Sequence, residues 1–479
     1  MSDVLKPYPE YKDSGLPWLG RVPKHWECLP HRAIFEEVKE QGHLDEQLLS
    51  VTIGRGIIRQ EDLLADSSKK DSSNLDKSKY KLVLPGDIAY NKMRAWQGAV
   101  GASKYRGIVS PAYIVQRLRG ELRSEYFHYL LRTPGFAKEA ERWSYGITSD
   151  QWSLRPQHFK MIYSCLPPLD EQELIVGFLS GLDRHVRRFI RNRRRLIEVL
   201  NEQKQAIINR AVTRGLDPDV PLKPSGTEWI GDIPEHWEAT TLGRLVTTFK
   251  TGPFGSILHQ SDYIPGGTPL VNPVHMSGGR ITLDVNCAVD GATFHRLREY
   301  ALIEGDIVFS RRGELGRCAL VRKEEAGCLI GTGSIRARLI PNMINHDFLI
   351  AALNGWWVAE YLSLMSVGAT MQSLNTGILS RLPLPLPPIE EQVQITMLIE
   401  RESALVDKSI AKAQREIGLI REYRTRLIAD VVTGKVDVRH LAPTPGSEDL
   451  EETVESLEPL EEDIADAVID DEERVNGPD

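Results

Sequence analysis

Cysteine is scarce in this chain. Its five residues, Cys28, Cys165, Cys287, Cys318 and Cys328, are scattered over 479 positions. No CxxC pair and no paired histidine spacing accompanies them. That argues against a zinc site or a disulfide framework and leaves reduced, mostly buried thiols as the expectation. Long apolar runs are missing too: none approaches the ~18 residues needed to span a bilayer. The opening stretch MSDVLKPYPEYKD lacks the apolar segment of a signal peptide. The expectation is a soluble, cytoplasmic protein. The motifs of the common enzyme classes are absent as well. There is no GxxxxGK[ST], and Gly434-Lys435 lacks both the upstream glycine and the following Ser or Thr, so ATP use is unsupported. No Asn/Asp-Pro-Pro-aromatic motif marks an amino-methyltransferase, and Asn272-Pro273-Val274-His275 does not fit one. GxSxG and HExxH do not occur. The GTGS at 331–334 is one glycine pair without a dinucleotide pattern.

The formal charge of −8 conceals an imbalance. Residues 441–479 hold 15 acidic side chains and one basic one, Arg474, so they carry −14 and leave +6 on residues 1–440. That tail follows Pro443 and Pro445, contains no aromatic residue and reads as a disordered acidic extension. The mildly basic body is compatible with nucleic acid. A length of 479 residues allows two to four domains, and 41% hydrophobic content gives each one a core.

The strongest signal present is self-similarity. Ser14–Glu27 reads SGLPWLGRVPKHWE and Ser225–Glu238 reads SGTEWIGDIPEHWE, at an offset of 211. Leu166–Gln172 reads LPPLDEQ and Leu386–Gln392 reads LPPIEEQ, at an offset of 220. Between them, Pro85-Gly86-Asp87-Ile88 matches Glu304-Gly305-Asp306-Ile307 at an offset of 219. A period this long is no solenoid; it is a duplicated large module. In the HWE block, Trp18, Trp26, Trp229 and Trp237 offer apolar surface, while Gly20, Pro23, Gly231 and Pro234 supply turns. His25 and His236 each sit near a glutamate, but no nucleophile or metal partner accompanies them, so the block reads as architectural. In LPP[LI][DE]EQ, Pro168 and Pro388 suit a strand end and a first helical turn. Asp170, Glu171, Glu390 and Glu391 put negative charge where the helix dipole favours it.

Some 40 residues without proline follow each LPP motif. In the second copy, Val406, Ile410, Ala413, Ile417, Ile420, Arg424, Leu427 and Val431 step by 4 and 3 alternately, a coiled-coil seam. Subtracting 220 gives Val186, Ile190, Arg193, Ile197, Leu200, Lys204, Ile207 and Ala211 in the same register. Each copy carries a basic residue at the sixth position, and each helix ends near a glycine (Thr213-Arg214-Gly215, Thr433-Gly434) suited to a C-cap. The matched seams predict two helices packed on one another; the alternative is that each packs on its own domain. Arg184, Arg187, Arg188, Arg191, Arg194 and Arg195 lie off the seam, as either a solvated face or a stripe facing phosphate or a partner.

Residues 28–165 and 239–385 read as mixed strands and short helices whose contents differ between copies. The candidate DNA-binding side chains are Lys92, Arg94, Thr148, Ser149 and Gln151 in the first, and Lys250, Ser256, Arg311, Arg312, Gln372 and Asn375 in the second. Arginine reads guanine edges, Gln and Asn read adenine, and hydroxyls adapt or bind phosphate. The fold class expected is α+β: two mixed α/β recognition domains, 1–165 and 221–385, joined by spacer helices at 166–220 and 386–440 as an antiparallel coiled coil with internal two-fold repeat. The acidic tail at 441–479 follows.

These residues resemble the specificity subunit of type I restriction–modification systems. The duplicated HWE block, GDI strand and LPPx[DE]EQ helix start carry the resemblance over residues 8–440, with KTGPFGSILHQSDY and GIVSPAYIV inside the domains. The acidic tail is outside the pattern. The resemblance implies a non-catalytic targeting subunit that binds a bipartite double-stranded DNA site, one half per domain, with the helices setting the gap. It implies two modification (methyltransferase) subunits and restriction subunits as partners. Adenine-N6 methylation with S-adenosylmethionine would occur on the former, and ATP and Mg use on the latter, with no cofactor or metal in this chain. The alternatives are a coiled-coil scaffold without DNA readout, or a nuclease or methyltransferase of unfamiliar motif.

Overall fold

The computed structural model describes residues 5–65, 76–146, 152–254, 257–313, 315–366 and 374–441. They form two compact units. One takes the residues up to Arg191 together with those from Glu416 on; the other is the continuous stretch Asn192–Arg415. The division cuts both long helices, Leu169–Arg214 and Ile389–Val432. It does so because each unit builds its core from the start of one helix and the end of the other.

In the first unit, the strand after the HWE block, β1 (Glu27–Pro30), pairs antiparallel with the strand entering the LPP motif, β6 (Tyr163–Leu166), Glu27 opposite Leu166. Between them, β2 (Phe35–Val38), β3 (Ile88–Asn91), β4 (Val100–Ala102) and β5 (Tyr113–Leu118) make an antiparallel sheet in the order β2-β5-β3-β4. In the second unit β7 (Glu238–Thr241) pairs with β12 (Pro383–Leu386), Glu238 opposite Leu386, which is the same register. There β8 (Val246–Thr251), β9 (Ile307–Ser310), β10 (Cys318–Leu320) and β11 (Ser334–Leu339) follow the order β8-β11-β9-β10. A further small sheet in this unit, formed by 263–264, 268–271, 288–289 and 329–330, has its own apolar cluster around Leu270, Val271 and Leu329.

The repeated motifs recur because they touch. The Trp26 indole Nε1 donates to Glu171 at 2.9 Å, Tyr8 OH donates to the same oxygen at 2.6 Å, and His25 Nε2 lies 2.7 Å from the other oxygen. In the second unit Trp237 Nε1 donates to Glu391 at 3.0 Å and His236 Nε2 lies 2.8 Å from it. Hydrogen bonds to a charged group contribute about 1.5–3 kcal/mol each, so these carboxylates do more than neutralise a helix dipole. The neighbouring amides are equally used. Gln172 donates to Pro167 O and accepts from Arg123 N; Gln392 donates to Pro387 O and accepts from Asn345 N. Both histidines are thereby structural. The helices end as the sequence implies, at Gly215 and Gly434, with φ of 73° and 75°. A Cβ on Gly434 would meet Pro23 at 2.3 Å.

Seam residues Val186, Ile190, Val406, Ile417 and Leu427 are buried, and Ile197, Leu200, Ile207, Ile410 and Ile420 are half-buried. The basic residue at the sixth seam position reaches across in each unit: Arg424 Nε donates to Asp183 at 2.7 Å, and Lys204 Nζ to Asp407 at 2.8 Å. Within the first unit Ile175 and Leu179 share a core with Trp26, Phe127, Leu427, Ile428 and Val431. Within the second, Ile208, Ala211 and Val212 share one with Trp237, Phe348 and Ile395. Lys6 bridges Asp437, so the segment before the first HWE block is laid against the segment leaving the second helix. Arg184, Arg187, Arg188, Arg191 and Arg195 are exposed and Arg194 half-buried; Arg195 pairs with Glu198 at 2.9 Å.

The structure corrects the expectation of five reduced thiols. Cys28 and Cys165 stand opposite one another on the β1–β6 pair and are joined as a disulfide, with Cα atoms 3.9 Å apart. A separation of 137 residues hid this pairing from any spacing rule. Cys318 and Cys328 are free and buried, and burial pushes their thiols up to about 12 and about 11. Among the described residues no single helix is long and apolar enough to cross a membrane.

Candidate nucleic-acid interface

In both units the third strand of the sheet order delivers a basic loop. β3 is buried along its length and ends at Asn91, whose side chain accepts from Met93 N at 2.9 Å and turns the chain outward. Lys92 follows. Its carbonyl accepts from Leu154 N at 2.8 Å, while Tyr145 and Ser153 bond each other's backbone. Two loops distant in sequence are thus tied side by side. The groove between them, about 620 Å³, is lined by Glu37, Lys39, Lys81, Lys92, Met93, Ile114, Tyr145, Gly146, Ser153, Arg155, Pro156 and Gln157. Lys81 is largely spent inside, donating to Pro111 O at 3.0 Å and Tyr113 O at 2.5 Å; burial lowers the pKa of its ammonium.

The second unit repeats the device. β9 is wholly buried and ends at Ser310, whose hydroxyl donates to Arg312 O at 2.7 Å. Arg311 O accepts from Leu374 N at 2.9 Å, the counterpart of the Lys92–Leu154 bond, and Arg311 N donates to Gly333 O. The Arg311 guanidinium stands 6.0 Å from the ring of Phe254, an exposed aromatic. Arg312 is exposed. The glycines here carry no Cβ for want of room: one on Gly252 would lie 1.9 Å from Gly331 O.

Residues 234–413 match the model of the type I restriction modification DNA specificity domain. Over 449 residues the chain is 23% identical to the putative type I restriction enzyme MjaX specificity subunit of Methanocaldococcus jannaschii, covering 88% of this chain and 96% of that one. It is 22% identical over 348 residues to the EcoBI specificity subunit of Escherichia coli, covering 70% and 72%. The chain is similar to the type I restriction–modification specificity subunits. A solved chain from work on complex assembly and conformational transition of the type I R-M system shares the fold, with TM-score 0.61 and 16% identity over 86% of this chain and 98% of that one.

Within this chain the candidate readers fall into three groups. Lys92, Arg94, Arg311 and Arg312 stand on the paired loops; Arg94 is turned toward Gln97 at 3.4 Å. Lys250 and Asn375 are engaged elsewhere. The Lys250 ammonium pairs with Glu299 at 2.8 Å, holding that carboxyl below its usual range, and sits over the Tyr300 ring. Asn375 Oδ1 accepts from Ile378 N at 2.9 Å as the N-cap of a short helix. Thr148, Ser149, Gln151, Ser256 and Gln372 lie outside the described residues. Sequence reasoning missed Tyr145, Arg155 and Gln157, which share the groove with Lys92. A signal existed: Arg155 aligns with Asn375 at the offset of 220 that relates the two LPP motifs.

Proposed function

We propose that this chain is a specificity subunit that directs modification and restriction to a bipartite duplex site, each unit reading one half through its pair of tied loops. The observation that carries this reading is the repeated backbone bond, Lys92 O to Leu154 N and Arg311 O to Leu374 N, which holds loops of equal placement and unequal side chains. An identical frame with different contents is what two readers of different sequence require. Cations at loop tips supply the phosphate attraction common to all DNA, and their neighbours supply base discrimination. The chain itself targets and does not catalyse. Two modification subunits would methylate adenine N6 using S-adenosylmethionine, and restriction subunits would use ATP and Mg. The long helices would set the distance between half-sites.

The test is methylation-site mapping with the chain assembled on its modification subunits. Lys92→Ala should weaken or relax the first half of the motif alone, and Arg312→Ala the second half alone. Where the lost cation met a phosphate, the slope of log K against log salt becomes shallower by about 0.9. If either substitution changes both halves together, the two-reader scheme is wrong.

A further inference from the structure

Positions 155 and 375 are structural equivalents. Each directly follows the leucine whose amide bonds the reader-loop carbonyl, and each is the N-cap of a short helix, Pro156–Phe159 or Thr376–Ser380. The second unit fills the position with asparagine, which caps its helix through Oδ1. The first unit fills it with arginine, whose backbone is also extended (φ −71°, ψ 152°, against −124° and 165° at Asn375), and no side-chain cap bond forms. Arginine has no acceptor to offer there. Forgoing a good cap leaves a helix start less stable. A local choice that gives the helix nothing is expected where a residue serves function.

Arg155 does have position. It is exposed and lines the groove beside Lys92, with Tyr145 and Gln157 close by. The other cations of this groove are committed: Lys81 to two backbone carbonyls, and Lys39 to Glu37 at 3.2 Å. Among the described residues no ion pair engages Lys92 or Arg155. Two cations without an ion pair among the described residues, on one groove and on loops tied to each other, form a site suited to an anionic or acceptor-rich partner. A guanidinium fork suits either a phosphate or the O6/N7 edge of guanine.

We propose that Arg155 is a DNA-contacting residue of the first reader, acting beside Lys92 on the first half-site, and that the capping position is given up to place it there. The inference rests on the DNA-reading function proposed above. Its test is Arg155→Asn in the full chain assembled with its modification subunits. This substitution installs the cap that the second unit already has, so the melting temperature should hold or rise. Affinity for the cognate duplex should fall about ten-fold, with a shallower salt slope or a relaxed base preference confined to the first half-site. Arg155→Lys should retain the salt slope. The proposal is overturned if Arg155→Asn leaves affinity, salt slope and motif unchanged. It is equally overturned if the variant melts lower and loses both half-sites, which assigns the arginine to folding. A wild-type complex with no bipartite motif would remove the underlying function and this contact with it.

Discussion

Asp183 and Asp407 both accept from a cation on the opposite long helix, in very different surroundings. Asp183 is nearly buried and takes Arg424 Nε at 2.7 Å and Tyr129 OH at 3.0 Å. Among the described residues Asp407 takes Lys204 alone, and its side chain is 54% exposed. Removing a charged partner from buried donors costs about 1–3 kcal/mol, whereas an exposed pair contributes under about 1 kcal/mol. Urea denaturation should therefore show Asp183→Asn as clearly destabilising and Asp407→Asn as nearly silent. Equal effects would mean that burial does not govern these bridges. His31 gives a second residue-level expectation. It is fully buried against Phe35, Phe136 and Phe159, and burial lowers its pKa from 6.5 to about 3. Burial also depresses His128. Below pH 6.5 the unfolded chain takes up protons that these folded imidazoles refuse. The His31 contribution is thus fully present above pH 6.5 and falls as pH drops toward 3, by about 1.4 kcal/mol per unit, and His128 acts in the same direction. Denaturation midpoints measured from pH 7 to 4 should show this acid limb, with a shallower slope in His31→Phe. A wild-type midpoint flat over that range would contradict the buried, neutral state.

At the scale of elements, the seams were legible because a 4-3 spacing repeated at a fixed offset is what two paired helices require and what strands or loops do not produce. The partners of the sixth-position cations were not, since Asp183 and Asp407 occupy different positions in the two copies and no repeat points to them. The HWE and EQ motifs were legible as recurring text. Their meeting at Glu171 and Glu391 was not, because contacts across some 145 and 154 residues leave no local pattern. The antiparallel course of the helices also decides how to test them as a spacer. Insertions must fall between the two cross-helix bridges on both helices. Four residues after Arg193 and four after Ala413 satisfy this, and would lengthen each helix by about 6 Å. At ~3.4 Å per base pair, the gap between methylated half-sites should grow by one to about two base pairs. An active double insertion that keeps the original gap would show that these helices do not set it; insertion in one helix alone should lower the melting temperature.

At the scale of the molecule, the two-copy plan could be read from the repeats, but the compact units could not. A boundary drawn after Cys165 or after Val220 follows the order of motifs, whereas the core of the first unit includes Leu427, Ile428, Val431 and Val432. The second unit is continuous in sequence from Asn192 to Arg415. A fragment 192–415 should therefore melt cooperatively by itself. A fragment 1–191 should not, until a peptide spanning 416–441 is added. Circular dichroism melts of the fragments and the mixture check this, and a cooperative transition in 1–191 alone would refute it.

That interleaving inverts the order of maturation on the ribosome. The chain emerges with the first unit's apolar residues leading, Trp26, Phe127, Ile175 and Leu179 among them, and with the surface meant for Val431 and Val432 bare. Synthesis at ~5–20 residues per second leaves it so for on the order of ten to fifty seconds, until the second helix ends. The later-made unit can complete first. During that wait the open half is vulnerable to aggregation and exposed to chaperones, and the end of an identical helix on a neighbouring nascent chain could fill the gap as well as its own.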